Sequence, residues 1–354
     1  MGMVTAVAGG DSQPFVTVFV PVRNEERYVG ACLDGVLAQD YARDRFEVLV
    51  VDGESEDRTR AIVEERAAAA DVPVRLVDNP RRVIPAAMNR ALDAARGDYL
   101  VRVDVHSVPE PSYVRCAVAA NLEHGADLVG GWVQARGEGL VGRAIAAAFA
   151  SPFSMGNPAS WRRPAAPLEV ASAPCGSYRV AALRAIGGYD EEQLVNEDYE
   201  ANYRLRAAGG RVMISPDVSF TYIPRRTLPA LARQFFRYGF YKARVMVKHP
   251  RSSRLRHFVP AAGLGGYALL LAATALTSVA AWTAVALAGL YVVGLVAATV
   301  RARRSAGSAT VVLPVVFATM HVAWAAGNIA GLARWLPRRR AVVAATPART
   351  AEAR

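Results

Sequence analysis

Cysteine is scarce. The 354 residues contain three, Cys32, Cys116 and Cys175, scattered along the chain. That spacing gives neither a disulfide framework nor a metal-binding cysteine motif, and it predicts reduced thiols in a cytosolic setting. The first fifteen residues lack the basic start and apolar centre of a cleaved leader, so none is expected. No glycine- and lysine-rich phosphate loop follows the first apolar run, which continues as PVRNEERY. Nucleotidyl transfer on such a loop is therefore disfavoured. The longest absence is of charge. From Phe258 to Val300 there is no Asp, Glu, Lys, Arg or His, a run of about 43 residues where one membrane span needs about 20. A pair of soluble core helices would carry a polar face, and this run does not. Two helices turning near Thr277-Ser278 are expected. A further apolar run from Ala309 to Leu332 makes about three across residues 258–332.

What charge there is leans positive, with 42 Lys and Arg against 31 Asp and Glu, a net +11. Its placement argues against nucleic acid. Lys242, Arg244, Lys248, Arg251, Arg254 and Arg256 precede the first apolar run, and Arg301, Arg303 and Arg304 precede the third. Basic residues beside spans mark the cytoplasmic side and attract anionic lipid. The expectation is a multi-pass plasma-membrane protein with its soluble domain in the cytoplasm. Arg338, Arg339 and Arg340 would end outside if the third run spans, against that rule. Residues 227–257 read as a basic amphipathic interfacial helix lying on lipid. Residues 1–14 read as a flexible N-terminus and 333–354 as a basic disordered tail.

Up to about residue 226 short apolar runs alternate with helical patterns. FVTVFVPV, FEVLVVD, VPVRLVD and DYLVRVD read as strands. Glu25–Ala38, Ser55–Ala70 (with Ser55 as cap) and Ile84–Ala95 read as helices between them. This is the pattern of an α/β fold, a mostly parallel sheet with helices on both faces. Ligands then sit at the carboxyl ends of the strands. Those ends read Pro21-Val22-Arg23-Asn24-Glu25, Asp52-Gly53-Glu54 and Asp104-Val105-His106, so acids gather on one rim. The Pro-, Gly- and Ser-rich SPFSMGNPASWRRPAAP, in a stretch from Glu138 to Pro167 that loses the pattern, predicts a mobile or substrate-facing loop. RVMISPDVSFTYI reads as two short strands, and NEDYEANYRLRAAGG as a helix capped by Asn196.

Three constellations can carry chemistry. In an extended segment Asp104 and His106 point the same way, so they either hold one divalent metal together or form an ordinary strand-end turn. Glu197 and Asp198 occupy a first helical turn, where acids serve the helix dipole or, buried under a substrate, a general base. Gln234, Arg237 and Tyr238 share a helix face. Arg237 could meet a phosphate and Tyr238 could stack on a sugar or base, or the helix could be an aromatic-basic interfacial one.

The order VPVRNEERYV, VVDGESEDRT, NPRRVIPAAMNRAL, RVDVHS, SPFSMGN, NEDYEANYRLRAAGG, RQFFRYGFYKARVMVKH covers roughly residues 15 to 250. The set resembles the family 2 glycosyltransferases of GT-A fold, and within them the succinoglycan-biosynthesis, ExoA-type branch. The resemblance implies that Pro21, Arg23, Glu25, Asp52 and Glu54 line a uridine-nucleotide pocket and that Arg82 approaches the donor. It implies that Asp104, with His106 in place of the second acid of an Asp-x-Asp motif, holds Mg²⁺ or Mn²⁺ at the diphosphate. Asp198 would be the base of an inverting transfer, with Glu197, Gln234, Arg237 and Tyr238 at the acceptor. The implied partners are a UDP-sugar, such as UDP-glucose, and a lipid-linked saccharide. Two rivals are a polyprenyl-phosphate sugar synthase, which would need neither base nor Gln-x-x-Arg-aromatic motif, and a membrane nucleotide-sugar-binding protein without turnover.

Overall fold

A computed structural model describes residues 13–155 and 159–344 of the chain. Most of the expected flexible N-terminus, the end of the tail and Gly156–Pro158 lie outside the described residues. Four parallel strands start the sheet: β1 (Val16–Val22), β2 (Phe46–Asp52), β3 (Val74–Asp78) and β4 (Tyr99–Arg102), alternating with α1 (Val29–Leu37), α2 (Thr59–Ala69) and α3 (Ile84–Ala94). After α4 (Tyr113–His124) come β5 (Leu128–Ala135), α5 (Gly139–Phe149), α6 (Pro152–Met155), β6 (Leu168–Glu169), β7 (Gly176–Arg179), α7 (Val180–Ala185), α8 (Glu197–Ala207) and β8 (Val212–Tyr222). The eight strands form one sheet in the order β3-β2-β1-β4-β7-β5-β8-β6.

Both faces are covered, which is why β1 and β2 read as near-continuous apolar runs. Val16, Val18, Val20 and Val22 pack with Val48 and Val50 towards α1, α2 and α4. Phe19, Leu49, Val51 and Leu100 pack on the opposite side against α3, α7 and α8. Each such fully buried side chain contributes roughly 1.5–3 kcal/mol. The sheet reverses where β7 inserts antiparallel between β4 and β5. Gly176 makes this insertion possible. Its φ is +105°, and a Cβ there would overlap the Val129 carbonyl.

Local details depart from the sequence expectation. The first helix starts at Val29, because Glu25 to Tyr28 form a turn. The second starts at Thr59, and Ser55 caps nothing; its hydroxyl and N–H go to Asp52 instead. The segment from Glu138 holds the 11-residue α5. RVMISPDVSFTYI is one strand, β8, with an irregularity opposite Gly130–Trp132. Asn196 precedes α8 but does not cap it through its side chain; its φ is +61° and its amide donates to the Tyr238 carbonyl.

The C-terminal part consists of α9 (Leu228–Lys248), α10 (Val259–Ala273), α11 (Ser278–Ala306), α12 (Leu313–Trp335) and α13 (Arg339–Ala344). The tail is thus helical to Ala344. Helix α9 does not lie free on a surface. Its Arg244 and Lys248 are buried and paired with Asp190, Glu192 and Glu200, so they are not lipid-facing charges. Their acids lie about 50 residues earlier, where sequence spacing cannot pair them. Helix α9 also runs tightly along α12. A Cβ on Gly239 would overlap the Trp324 carbonyl, and one on Gly327 the Phe236 carbonyl.

Helices α11 and α12 form a hairpin tied by Tyr291 and His321 at 3.0 Å. The helical run Ser278–Val343 contains one stretch long and apolar enough to cross a membrane, 17% of it buried. Val259–Ala273, at 15 residues, is shorter than the about 20 a span requires. Three spans were expected, and among the described residues one helical run meets the requirement. Leu269, Leu276, Trp282 and Val285 are all more than half exposed, an apolar surface of the kind that marks membrane contact.

Candidate active site

Among the described residues five non-glycines have left-handed backbone: Asn24, Glu54, Arg82, Cys175 and Asn196. Such residues concentrate at functional sites. The first three follow the carboxyl ends of β1, β2 and β3; Cys175 precedes β7 and Asn196 precedes α8. The first two loops are stitched together. Ser55 Oγ accepts the Asn24 N–H, Thr59 Oγ1 accepts the Glu25 N–H at 2.7 Å, and Asn24 Oδ1 accepts the Glu56 N–H.

Asp52 is fully buried and held by Ser55 and by Arg60 at 2.8 Å, so its carboxylate shapes this loop from below. Arg23 lies against Gly53. Glu54 and Arg82 form an ion pair, with Nε 2.6 Å from the carboxylate. Pro21, Arg23, Glu25, Asp52, Glu54 and Arg82 therefore share the rim of β1 to β3. They stand beside the crevice between β1 and β4 where the strand order reverses, the usual nucleotide position.

Across that crevice β4 ends at Arg102, and Asp104 to Ser107 form a turn closed by Ser107 N–H to the Asp104 carbonyl at 2.8 Å. The extended spacing that would aim Asp104 and His106 at one point is absent. His106 Nε2 instead faces Glu25 at 3.1 Å, with its ring edge-on to Tyr28. Asp104 accepts Arg102 Nε at 2.7 Å and the Cys175 thiol at 3.5 Å.

Asp104 lines a cavity of about 2130 Å³ that also takes in Glu197, Asp198, Gln234, Arg237 and Tyr238. Pro21, Arg23, Glu25, Asp52, Glu54, Arg82 and His106 do not line it. Arg102 is buried and joins its acids, with Nη1 3.4 Å from Glu197. Gln234 donates to the hydroxyls of Tyr238, at 2.8 Å, and Tyr222. Trp161 packs tilted against Phe149 at 4.7 Å and edge-on to Tyr222 at 5.7 Å, and all three line the cavity, an aromatic wall suited to sugar faces. Sequence reasoning missed Arg102, Cys175 and Trp161. Only Trp161 carried a signal, its place in the loop expected to face substrate.

Burial first, then the charge of Asp198, pushes Glu197 up to about 7 against the pull of Arg102. Burial also raises Asp198, opposed by Arg102 and by the Tyr199 N–H at 2.7 Å. Coupled carboxyls release their protons in steps that belong to the pair. A base must be ionised, so transfer should rise with pH through the acid range and level off near neutrality. A kcat–pH profile measures this. In Glu197→Gln, which removes one titrating member, the rise should belong to Asp198 alone.

Among the described residues no three His, Cys, Asp or Glu side chains stand together as metal ligands. The donor set still fits a hard cation shared with a substrate. Mg²⁺ is commonly held by one or two carboxylates plus phosphate oxygens, and the Asp104 side chain is 42% exposed. The geometry offers Asp104 and turns His106 away to Glu25.

A sheet that reverses beside β4, with an acid at that strand's end and two more on an adjoining helix N-terminus, is the architecture of a GT-A glycosyltransferase. The Glycosyl transferase family 2 model matches residues 17–187, and the chain belongs to that family. It is 33% identical over 317 residues to the succinoglycan biosynthesis protein ExoA of Rhizobium meliloti strain 1021, covering 88% of this chain and 92% of ExoA. It is 22% identical over 241 residues to a dolichyl N-acetyl-alpha-D-glucosaminyl phosphate 3-beta-D-2,3-diacetamido-2,3-dideoxy-beta-D-glucuronosyltransferase of Methanococcus voltae, covering 66% and 74%. Among solved structures, the mannosyltransferase PcManGT of Pyrobaculum calidifontis, in complex with GDP-Man and Mn²⁺, superposes with a TM-score of 0.64 at 22% identity, over 91% of this chain and 88% of that one. That likeness establishes the fold.

Proposed function

We propose that this enzyme is an inverting hexosyltransferase that moves glucose from UDP-glucose to a lipid-linked saccharide at the cytoplasmic face of the plasma membrane. The product would enter exopolysaccharide or cell-envelope glycan synthesis. The observation that carries this is the continuity of one cavity. It runs from Asp104, Glu197 and Asp198 to Leu264 and Tyr267 on α10 and Leu287 on α11. An acceptor with a sugar end and a lipid end matches such a cavity. Two relatives, one in succinoglycan biosynthesis and one acting on a dolichyl-linked sugar phosphate, support the same class of acceptor.

In the proposed step Asp198 takes the proton of the acceptor hydroxyl. That oxygen bonds to the anomeric carbon as the carbon–oxygen bond to UDP breaks, and UDP leaves with the electron pair. Attack comes from the face opposite UDP, so an α-linked donor gives a β-linked product. Pro21, Arg23, Glu25, Asp52 and Glu54 form the uridine side, and Arg82 reaches the donor. Gln234, Arg237 and Tyr238 orient the acceptor beside Glu197. A bound Mg²⁺ or Mn²⁺, held by Asp104, would neutralise the diphosphate and ease its departure. Helices α10 to α12 anchor the enzyme against anionic lipid.

A UDP-release screen across nucleotide sugars, with membrane lipid extract as acceptor, tests the assignment. UDP-glucose should release UDP only with extract present, into a product whose lipid carries a diphosphate. Release without transfer to lipid would overturn it. EDTA should lower the initial rate by more than tenfold, restored by added Mn²⁺. A rate indifferent to EDTA removes the metal role of Asp104.

A further inference from the structure

Where α9 approaches α10, the cavity is lined by Lys242, Arg254, Arg256 and His257. None of them has a part in the transfer step above. Lys242 is 6% exposed, and its ammonium lies 3.1 Å from the centre of the Tyr199 ring. Its neighbours Arg244 and Lys248 are paired with acids. Among the described residues no carboxylate stands at ion-pair distance from Lys242. Burial, then the charge of Arg256, pushes its amine down to about 6. An ammonium buried with no anion at ion-pair distance is costly, so Lys242 would gain its charge when an anion binds beside it. His257 Nδ1 accepts the Arg254 N–H at 3.1 Å, so the neutral ring carries its proton on Nε2, a donor.

An apolar path starts at the same place. Val259, Pro260, Gly263, Leu264 and Tyr267 of α10 line the cavity. This helix buries none of its residues. A Cβ on Gly263 or Gly266 would meet nothing within 4 Å, so the groove beside them is open.

We propose that Lys242, Arg254, Arg256 and His257 form the binding site for the phosphate groups of the acceptor lipid, with its prenyl chain along α10 from Val259 to Tyr267. This rests on the lipid-linked acceptor proposed above. Cationic and N–H donors lining the same end of the cavity suit a diphosphate, whose oxygens take charge-assisted hydrogen bonds. The donor's own diphosphate is assigned to Asp104.

The test is direct binding to the full-length enzyme in neutral detergent micelles. Geranylgeranyl diphosphate, geranylgeraniol and phosphatidylglycerol serve as probes and tryptophan fluorescence as readout. The diphosphate should bind at least about tenfold more tightly than the alcohol. Lys242→Gln and Arg254→Gln should each lose about tenfold to a hundredfold of that affinity, the loss of a hydrogen bond to a charged group. Lys242→Arg should retain most of it, and Arg254 is an exposed position whose replacement leaves the core alone. Equal affinity for diphosphate and alcohol would overturn the site. So would phosphatidylglycerol competing as well as the diphosphate, which would mark a general head-group surface. A parallel loss of UDP affinity would move these residues to the donor. The readout needs no turnover. Diphosphate binding with no transfer to any lipid-linked saccharide would sink the proposed function, whereas transfer with no diphosphate preference would sink this site alone.

Discussion

Asp198→Asn should lower kcat by about 10²- to 10⁴-fold, the contribution of general base catalysis. The substitution is nearly isosteric. An asparagine oxygen can still accept the Tyr199 N–H that Asp198 accepts at 2.7 Å, so the start of α8 is kept. It also removes a charge that burial disfavours. The variant should therefore melt at or slightly above the wild-type temperature and bind UDP as the parent does, while transfer to lipid is lost. Single-turnover assays with radiolabelled UDP-sugar would separate the chemical step from binding. Full transfer by the variant would show that another group takes the proton. Glu197, which shares the wall and pairs with Arg102, would be the next to test.

The second large effect is on stability. Arg244 is 0% exposed and donates to Asp190 at 2.5 Å, Gln193 at 2.9 Å and Glu192 at 2.9 Å. Lys248 joins Asp190 at 2.7 Å to Glu200 at 3.0 Å, and Glu200 also takes Arg204 and His249. Arg244→Met strips one cation from this buried network and leaves acids without their partner, which costs about 3–5 kcal/mol. A thermal melt in detergent should show the drop, and Arg244→Met with Asp190→Leu should recover part of it. Burial alone would raise the Asp190 and Glu200 carboxyls, but their cationic partners hold both below the ordinary carboxylate range. The stabilisation from a depressed carboxyl is complete above that range and is lost as pH falls through the folded-state value. The wild type should therefore lose stability in acid more steeply than Arg244→Met. A melting temperature unchanged by the substitution would show the network to be dispensable.

The sheet and its rim were largely legible. FEVLVVD has the β-branched content of a strand buried on both faces, and it ends in the acid that the fold places on the ligand edge. Helix α8 was legible from its acids and its Gly-Gly stop. The insertion of β7 between β4 and β5 was not, because it depends on the backbone of Gly176 and on partners far away in sequence. Arg102 read as an ordinary strand residue, since nothing local says that its guanidinium will meet Asp104 and Glu197. Arg244 and Lys248 looked like lipid-facing charges. Composition cannot tell a solvated lysine from one whose acid lies 50 residues away. His106 followed from a strand extended too far: β4 stops at Arg102, and two residues of turn redirect the imidazole to Glu25.

The glycine contacts between α9 and α12 leave no slack between those two helices, and the Asn196 amide on the Tyr238 carbonyl ties the start of α8 to α9. Asp198 therefore stands at a constant height over any lipid surface those helices occupy. For an acceptor fastened at its lipid end, one sugar along the chain lies at the right distance from that carboxylate, and shorter or longer chains miss it. The molecule would then work as a caliper, choosing its acceptor by length as well as by chemistry.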